Sequence, residues 1–433
     1  MKTSFFTLTF ILFTTLSFSQ SGWISQNSNT NKTLNDVFFI NDQKGWIVTD
    51  SSKILRTTDG GETWNMKTLP LYSPLKTIFF INENTGWAAG GYFYFAHSGV
   101  VYKTIDGGSN WFLLSHSPEI EDIYFINSNT GFAGYDGSGD FVSAGGIVKT
   151  TNGGSNWTGS FSSSYVISAV KFENSDTGFA IGNYWDDTGN DTNIIYRTIN
   201  GGISWETKYK ESNHHFYFNN LRDICIKGNN IWVSGRDSSI MYSSNAGESW
   251  NRQFIPKPRI MESIFFINQQ TGWAVGIGYP DTANIIKTTN GGMNWINLKS
   301  NYNHRLYSVI FINEYTGWTV GDYGIILKTT NGGLTYVSNI LIHIPSSYVL
   351  NQNYPNPFNP STVISYSLYE RSDIKITIYN IQGKELKTLV DKNQSPGNYE
   401  TTFNSSELAS GIYYYSLYAN GNWIETRKMS LLK

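Results

Sequence analysis

Apolar positions along the chain fall into short runs that end in turns, and the runs recur. The clearest are Val37-Phe38-Phe39-Ile40-Asn41, Ile78-Phe79-Phe80-Ile81-Asn82, Ile123-Tyr124-Phe125-Ile126-Asn127, Ile264-Phe265-Phe266-Ile267-Asn268 and Val309-Ile310-Phe311-Ile312-Asn313, with weaker copies at 170–174 and 224–226. Near-continuous apolar runs of this length read as strands buried on both faces. A few residues after each comes Gly-Trp or a relative: Gly45-Trp46, Gly86-Trp87, Gly131-Phe132, Gly178-Phe179, Ile231-Trp232, Gly272-Trp273 and Gly317-Trp318. A third strand, such as Gly324-Ile325-Ile326-Leu327-Lys328, then enters a glycine turn, and a fourth leaves it at an aromatic residue. No stretch carries a sustained helical period, which predicts an all-β chain.

The glycine turn is the most regular element. Its first copy is Thr57-Thr58-Asp59-Gly60-Gly61-Glu62-Thr63-Trp64, and six more follow. Their third positions are Asp59, Asp106, Asn152, Asn200, Asn245, Asn290 and Asn331, at steps of 41 to 48 residues. Seven units of four short strands predict a seven-bladed β-propeller over residues 20–344. Gly22-Trp23-Ile24-Ser25 resembles the strand that follows each glycine turn, so it is expected to complete the last blade in preference to the run at 341–345.

Beyond the repeats the pattern changes. Asn353-Tyr354-Pro355-Asn356-Pro357-Phe358-Asn359-Pro360 excludes helix and central strand. Alternating runs at 361–368, 374–379 and 412–417, with turns at Gly383 and Gly397, predict a small Ig-like β-sandwich at 353–433 after a linker at 345–352. At the other end, residues 1–19 have a positive start, a short apolar centre and small residues at alternate positions. This reads as a secretory signal peptide cleaved after Ser19.

Composition sharpens the picture in three places. Aromatics are 16% and charged residues 15%, with 41 Gly, which suits short strands joined by tight turns. The formal net charge of -2 argues against a nucleic-acid surface. The single cysteine, Cys225, excludes an internal disulfide and reads as a small buried side chain.

The repeated turn reads as scaffold. Its side chain at the third position accepts from backbone N–H groups further along, and Asn does this as well as Asp. A catalytic acid or hard-cation ligand would lose its charge in the five Asn copies. The closing Trp is expected to be buried, so Trp157→Ala should cost about 3–5 kcal/mol. The Lys or Arg before six of the boxes reads as a solvated stripe whose methylenes cover neighbouring rings. Function is sought instead on the opposite face, where the loops are irregular. Its candidate ligand-binding residues are Tyr92, Tyr94, Tyr135, Asp136, Tyr184, Trp185, Asp186, Asp187, Tyr279 and Asp281, aromatic platforms flanked by carboxylates that suit a peptide or sugar. No catalytic residue, metal site or cofactor is assigned, since no nucleophile, zinc or phosphate-loop motif occurs.

The turn Thr57, Asp59, Gly61, Thr63, Trp64 resembles the Asp-box or BNR repeat. The fuller unit, Phe-Phe-Ile-Asn, Gly-Trp and then the box, is similar to the propeller of photosystem II stability and assembly factors over roughly 21–340. That resemblance implies a chaperone-like or scaffold role. Asp-box propellers also include sialidases, but their Arg-Ile-Pro segment is missing here. Residues 351–433 resemble the type A C-terminal sorting domain of type IX secretion through Pro355, Asn356, Pro357, Phe358, Gly383, Gly411, Lys428 and Lys433. This resemblance implies the secretion machinery and its sorting peptidase as partners, and a cell-surface or extracellular destination. The expectation is a monomeric, non-catalytic binding module for an extracellular protein or glycan. The alternative is an extracellular glycoside hydrolase with Asp136 and Asp187 as acids.

Overall fold

The structure is a computed structural model that describes residues 22–91, 99–137, 145–185, 191–213, 220–236, 239–255, 258–278, 282–298, 302–334, 347–394 and 397–432. The signal segment at 1–19, candidate residues Tyr92, Tyr94, Asp186, Asp187, Tyr279 and Asp281, the side chain of Trp185, and Lys433 lie outside the described residues. The chain divides into units at 21–335 and 336–433.

Seven four-stranded antiparallel sheets make up the first unit. The first is Leu34–Phe39, Gly45–Thr49, Lys53–Thr57 and Asn65–Thr68, in chain order from the inside out. The last is Leu306–Phe311, Gly317–Gly321 and Ile326–Thr329, completed by Ile24–Gln26, with Ile24 opposite Lys328. The N-terminal strand therefore closes the ring. Trp23 takes the place of a box tryptophan there: it meets Phe311 edge-on at 5.9 Å, as Trp64 meets Phe39.

The burial pattern differs from the sequence expectation in one respect. The innermost run is not buried on both faces. Phe39 and its equivalents turn into the neighbouring sheet, while Phe38, Phe79, Tyr124 and Phe265 line a central channel. The strand buried throughout is the second, Gly45–Thr49, Gly86–Gly90 and Gly317–Gly321. It sits mid-sheet with sheets packed on both of its faces, whereas the innermost strand has solvent on its axial side.

The Gly-Trp pair explains how sheets lock. Trp46 stacks on Phe80 of the next sheet at 3.6 Å and its indole N–H donates to Gly107 O in that sheet's box at 2.9 Å. Trp87 does the same with Phe125 and Gly153, and Trp273 with Phe311 and Gly332. Trp318 stacks on Phe39 at 3.6 Å and donates to Gly60 O, which joins the last sheet to the first. Where Phe132 replaces Trp, Lys149 lies over its ring and its ammonium donates to Gly201 O at 2.7 Å, restoring the missing bond. Glycine before the Trp is required because a Cβ at Gly45 would lie 2.5 Å from the Phe39 ring. In the fifth sheet the pair becomes Ile226 opposite Ile231, and the smaller side chain makes room.

Two further expectations are corrected in part. Trp64, Trp111 and Trp295 are buried as expected, but Trp157, Trp205 and Trp250 are only half-buried. The cost of Trp157→Ala therefore falls below the full-burial range. The basic residues before the boxes cover neighbouring rings as expected, but they are half-buried or buried instead of solvated. Lys103 and Lys287 lie 5.0 and 4.9 Å over Trp87 and Trp273, and burial pulls the pKa of each down.

The boxes are caps. Asp59 Oδ1 accepts from Thr57 Oγ1 and from the Thr63 backbone N–H, and Gly61 N–H donates to Thr57 Oγ1 at 2.8 Å. Asn152 accepts the equivalent bonds from Thr150 and from Asn156 N–H at 3.0 and 2.9 Å. Burial nudges the Asp59 pKa up, but hydrogen bonds from Thr63, Thr57 and Gly61 outweigh it and hold it at about 2. The first glycine of each box has positive φ, 71° at Gly60, except in the fifth, where Ala246 sits at 56°. A side chain there is strained by roughly 1 kcal/mol. Ala246→Gly is expected to raise stability by about 0.5–1 kcal/mol in urea unfolding, since strain relief exceeds the entropic cost of glycine.

The second unit has two antiparallel sheets around one core. One holds Val349–Leu350, Ser361–Leu368 and Gly397–Asn404; the other holds Glu385–Gln394, Ser372–Tyr379, Gly411–Ala419 and Asn422–Leu431. Ile364, Tyr366, Ile376, Ile378, Tyr415 and Leu417 fill the core between them. Val349–Leu350, inside the expected linker, is a strand whose Leu350 is fully buried.

Candidate functional site

Each innermost strand carries a β-bulge near its start, as between Leu34 and Asp36 or Leu221 and Asp223. The bulge aims the next side chain along the ring wall, where it reaches the neighbouring strand. Asp36 Oδ2 accepts Ile78 N–H at 2.9 Å, Asp122 Oδ2 accepts Val170 N–H at 2.9 Å and Asp223 Oδ2 accepts Ile264 N–H at 3.0 Å. Ser263 Oγ accepts Val309 N–H and Ser308 Oγ accepts Val37 N–H, both at 3.4 Å. Thr77 donates to Asp122 at 3.2 Å. These bonds form a belt around a channel of about 390 Å³. Lys171 points into it from the fourth sheet and donates to Asp122 at 2.6 Å. Burial works against the Lys171 charge, but Asp122, Asp223 and Asp36 outweigh it and raise its pKa. Burial pushes Asp36 up to about 6 and Asp223 up, and it pushes the Cys225 thiol to about 11, which leaves that thiol unreactive near neutral pH.

The inner strands begin on the irregular-loop side, so their first polar residues ring that mouth of the channel. The mouth is polarised. On one side, Glu119, Glu121 and Asp136 bring carboxylate oxygens within 4.8 Å of one another. Asp136, at the end of the Gly131–Asp136 strand, stands opposite Glu119 in the register. Lys76 from the second sheet binds Glu119 at 2.6 Å and also Glu121. Burial raises the Glu119 pKa more than Lys76 lowers it, while the two glutamates raise Lys76 against its own burial. The ammonium sits where a shared cation would. Across the ring, Arg222 and Arg305 each lie 3.5 Å from Glu262, and Arg305 covers Tyr307 at 5.8 Å. Burial and then Asp322 push Tyr307 up to about 12.

Of the sequence candidates, Asp136 belongs to the acidic side, whereas Tyr135 packs against the apolar cluster around Trp87 and Ile120. Tyr184 packs edge-on against Tyr165 at 5.7 Å in the fourth sheet. Lys76, Glu119, Glu121, Arg222 and Glu262 were missed, although the acidic run Glu119-Ile120-Glu121-Asp122 before an apolar strand was a visible signal. Glu262 lies beside both arginines and Lys76 binds two of the three carboxylates, so the described residues leave one side of the mouth net negative and the other net positive.

The family model described as photosynthesis system II assembly factor YCF48 matches residues 16–183, 161–259 and 253–344. The chain belongs to this family. Two solved YCF48 structures resemble it. One, described as YCF48 bound to D1 peptide, is 18% identical, covers 73% of this chain and 99% of its own, and has a TM-score of 0.55. The other, YCF48 from Cyanidioschyzon merolae, is 19% identical, covers 71% and 98%, and has a TM-score of 0.52. These likenesses show the propeller fold of the YCF48 family. No curated protein matches the chain. A second model, the secretion system C-terminal sorting domain, matches 352–431. That domain indicates type IX secretion to the cell surface or extracellular space and implies contact with the secretion machinery.

In that domain the sequence marks meet. Phe358 exchanges backbone bonds with the last strand, its N–H to Ser430 O and its O from Leu432 N–H, both at 3.0 Å. Asn356 accepts Ser430 N–H at 2.9 Å. Gly383 takes positive φ, 76°, in the turn after Tyr379.

Proposed function

We propose that the propeller is an exported, non-catalytic binding module that holds a segment of another protein at the loop-side mouth of its channel. Residues 1–19 direct export across the inner membrane, residues 353–433 direct passage across the outer membrane, and a sorting peptidase removes the latter. The observation that carries the reading is the polarised mouth, with Glu119, Glu121 and Asp136 facing Arg222 and Arg305 across it. Such a mouth favours an extended peptide of mixed charge, basic side chains toward the first group and acidic ones toward the second. A structure of the same fold bound to a D1 peptide supports a peptide over a sugar.

The test is a peptide array and a glycan array probed with the mature protein, with reducing-sugar release assayed in parallel. Mixed-charge peptides are expected to bind in a salt-sensitive way, and Arg305→Ala or Asp136→Asn to weaken them about tenfold, the equivalent of one lost charge pair. Sugar release abolished by Asp136→Asn would establish the hydrolase instead.

A further inference from the structure

Behind the mouth, the inner strands set one level of side chains behind another. The first level is the belt, with the carboxylates of Asp36, Asp122 and Asp223 on the channel wall. Two residues further along the same strands, and so on the same face, come Phe38 and Tyr124, joined by Phe79 and Phe265 from the second and sixth sheets. Phe38 meets Phe79 at 5.6 Å and Phe79 meets Tyr124 at 5.0 Å, a continuous aromatic wall over three sheets. All four rings are half-buried and line the channel.

Lys171 shows how this space treats a cation. It starts at the level of the rings, in the position that Tyr124 holds one sheet earlier, and its ammonium reaches the belt at Asp122. The other two carboxylates have no such partner. Asp36 accepts from Val37 N–H, Ile78 N–H and Ser308 Oγ, and Asp223 from Ile224 N–H, Ile264 N–H and Ser263 Oγ; none of these donors is charged. Burial raises both carboxyls, Asp36 to about 6, and the bonds offset it only in part. A further acceptor lies at the next level toward the mouth. The Glu262 side chain is 8% exposed, and its Oε1, on the channel wall, makes no hydrogen bond among the described residues, with Arg305 3.5 Å away. The space therefore holds acceptors short of donors next to an apolar wall. Its volume of about 390 Å³ lies within the range of small-molecule sites. One metal ion does not suit it. The three belt carboxylates do not come within 4.8 Å of one another, as Glu119, Glu121 and Asp136 do at the mouth.

We propose that the channel is a binding site for a primary ammonium that carries an aromatic body, its charge at the belt beside Asp36 and Asp223 and its ring against Phe38, Phe79, Tyr124 and Phe265. The spacing suits this ligand. Carboxylate and ring stand two residues apart on an extended strand, roughly 6–7 Å, which is comparable with a two-carbon link between ammonium and ring. The ammonium brings three donors, and the aromatic wall covers the body. Two sources share this chemistry: a free arylalkylamine, and the N-terminus of a chain whose first residue is aromatic. The site does not depend on the reading of the mouth given above.

The test is calorimetric titration of the full chain at neutral pH with phenethylammonium, with phenylethanol as its uncharged match, and with the peptide Phe-Gly-Ser-Gly bearing a free or an acetylated N-terminus. Saturable binding of the ammonium without binding of the alcohol is expected, and Asp36→Asn should weaken it about tenfold, the equivalent of one lost charge pair. Asp59→Asn, in a box turn outside the channel, should bind as the parent does. Binding of the free-amine peptide that acetylation abolishes assigns a chain end; binding of phenethylammonium alone assigns a free amine. Thermal melting confirms folding, and should Asp36→Asn not fold, Asp223→Asn takes its place with the same expected loss. No saturable binding of either amine, equal binding of phenylethanol, or unchanged affinity in the folded belt variant overturns the channel site. Mixed-charge peptides that still bind on the array then leave the mouth standing.

Discussion

Trp318→Ala is expected to lower the stability of the propeller by about 3–5 kcal/mol, the range for removing a fully buried large aromatic. The residue is 0% exposed, stacks face to face on Phe39 and donates to Gly60 O. Alanine leaves a cavity at the one seam where residues 258 apart in the chain meet, and it leaves the Gly60 carbonyl without its indole donor. Trp157→Ala is the matched comparison. Trp157 is half-buried and meets Phe125 by its edge at 6.0 Å, so its loss is expected to cost less than half as much. Urea unfolding of the two variants checks the order. Equal midpoints would mean that the stacked Trp adds nothing beyond the box Trp.

Lys171→Met is expected to cost about 2–4 kcal/mol at pH 7.5, somewhat below the usual range for breaking a buried ion pair because Lys171 is on the channel wall. Methionine keeps the volume but removes the one cation among the described residues that is hydrogen-bonded to Asp122, and it leaves Asp36, Asp122 and Asp223 facing one another across the belt. The pH dependence has a definite sign. Asp36 is raised from 3.8 to about 6 in the folded protein. A carboxyl raised on folding contributes stability that is fully present below its unfolded pKa and is lost as pH rises through its folded pKa. The penalty of Lys171→Met should therefore shrink as pH falls from 7.5 to 5, when the raised acids take up protons. Adding Asp122→Asn to Lys171→Met should restore part of the loss, because it removes a carboxylate that has lost its counter-charge and keeps only the bonds from Val170 N–H and Thr77. A penalty that is flat from pH 5 to 7.5 would show that the belt does not sense the missing ammonium.

The propeller was legible because its signal is repeated. Gly-Trp, the box and the apolar run appear in register many times, and each copy checks the others. The box could be assigned to scaffold from its Asp and Asn copies alone, and the structure shows the physical ground: Asn152 Oδ1 accepts the bonds that Asp59 Oδ1 accepts. The belt was not legible. Its members are Asp36, Thr77, Asp122, Asp223, Ser263 and Ser308, different residues at one structural level, and only the bulge that re-aims them makes them equivalent. The channel itself was lost because a strand facing an axis is as apolar as one buried on both faces. The mouth was half legible. Asp136 was found from its loop, but Glu119, Glu121 and Lys76 come from innermost strands, and antiparallel pairing within the third sheet and ion pairs from the second bring them together. The sorting domain was recognised by its marks, yet the marks gave no hint that Phe358 pairs with the last strand.

Strand Ile24–Gln26 has a consequence in time as well as in space. It leaves the ribosome first among the described strands and pairs with Ile326–Thr329, the last of the ring to be made. Every earlier product of synthesis is an open arc with two unpaired sheet faces at its ends. The arc becomes a ring only once residue 329 is available, and the sorting domain follows at Val349 and beyond. The order along the gene thus places the export address after the last strand of the cargo, so that no nascent chain carries the address before its ring has all the strands it needs to close.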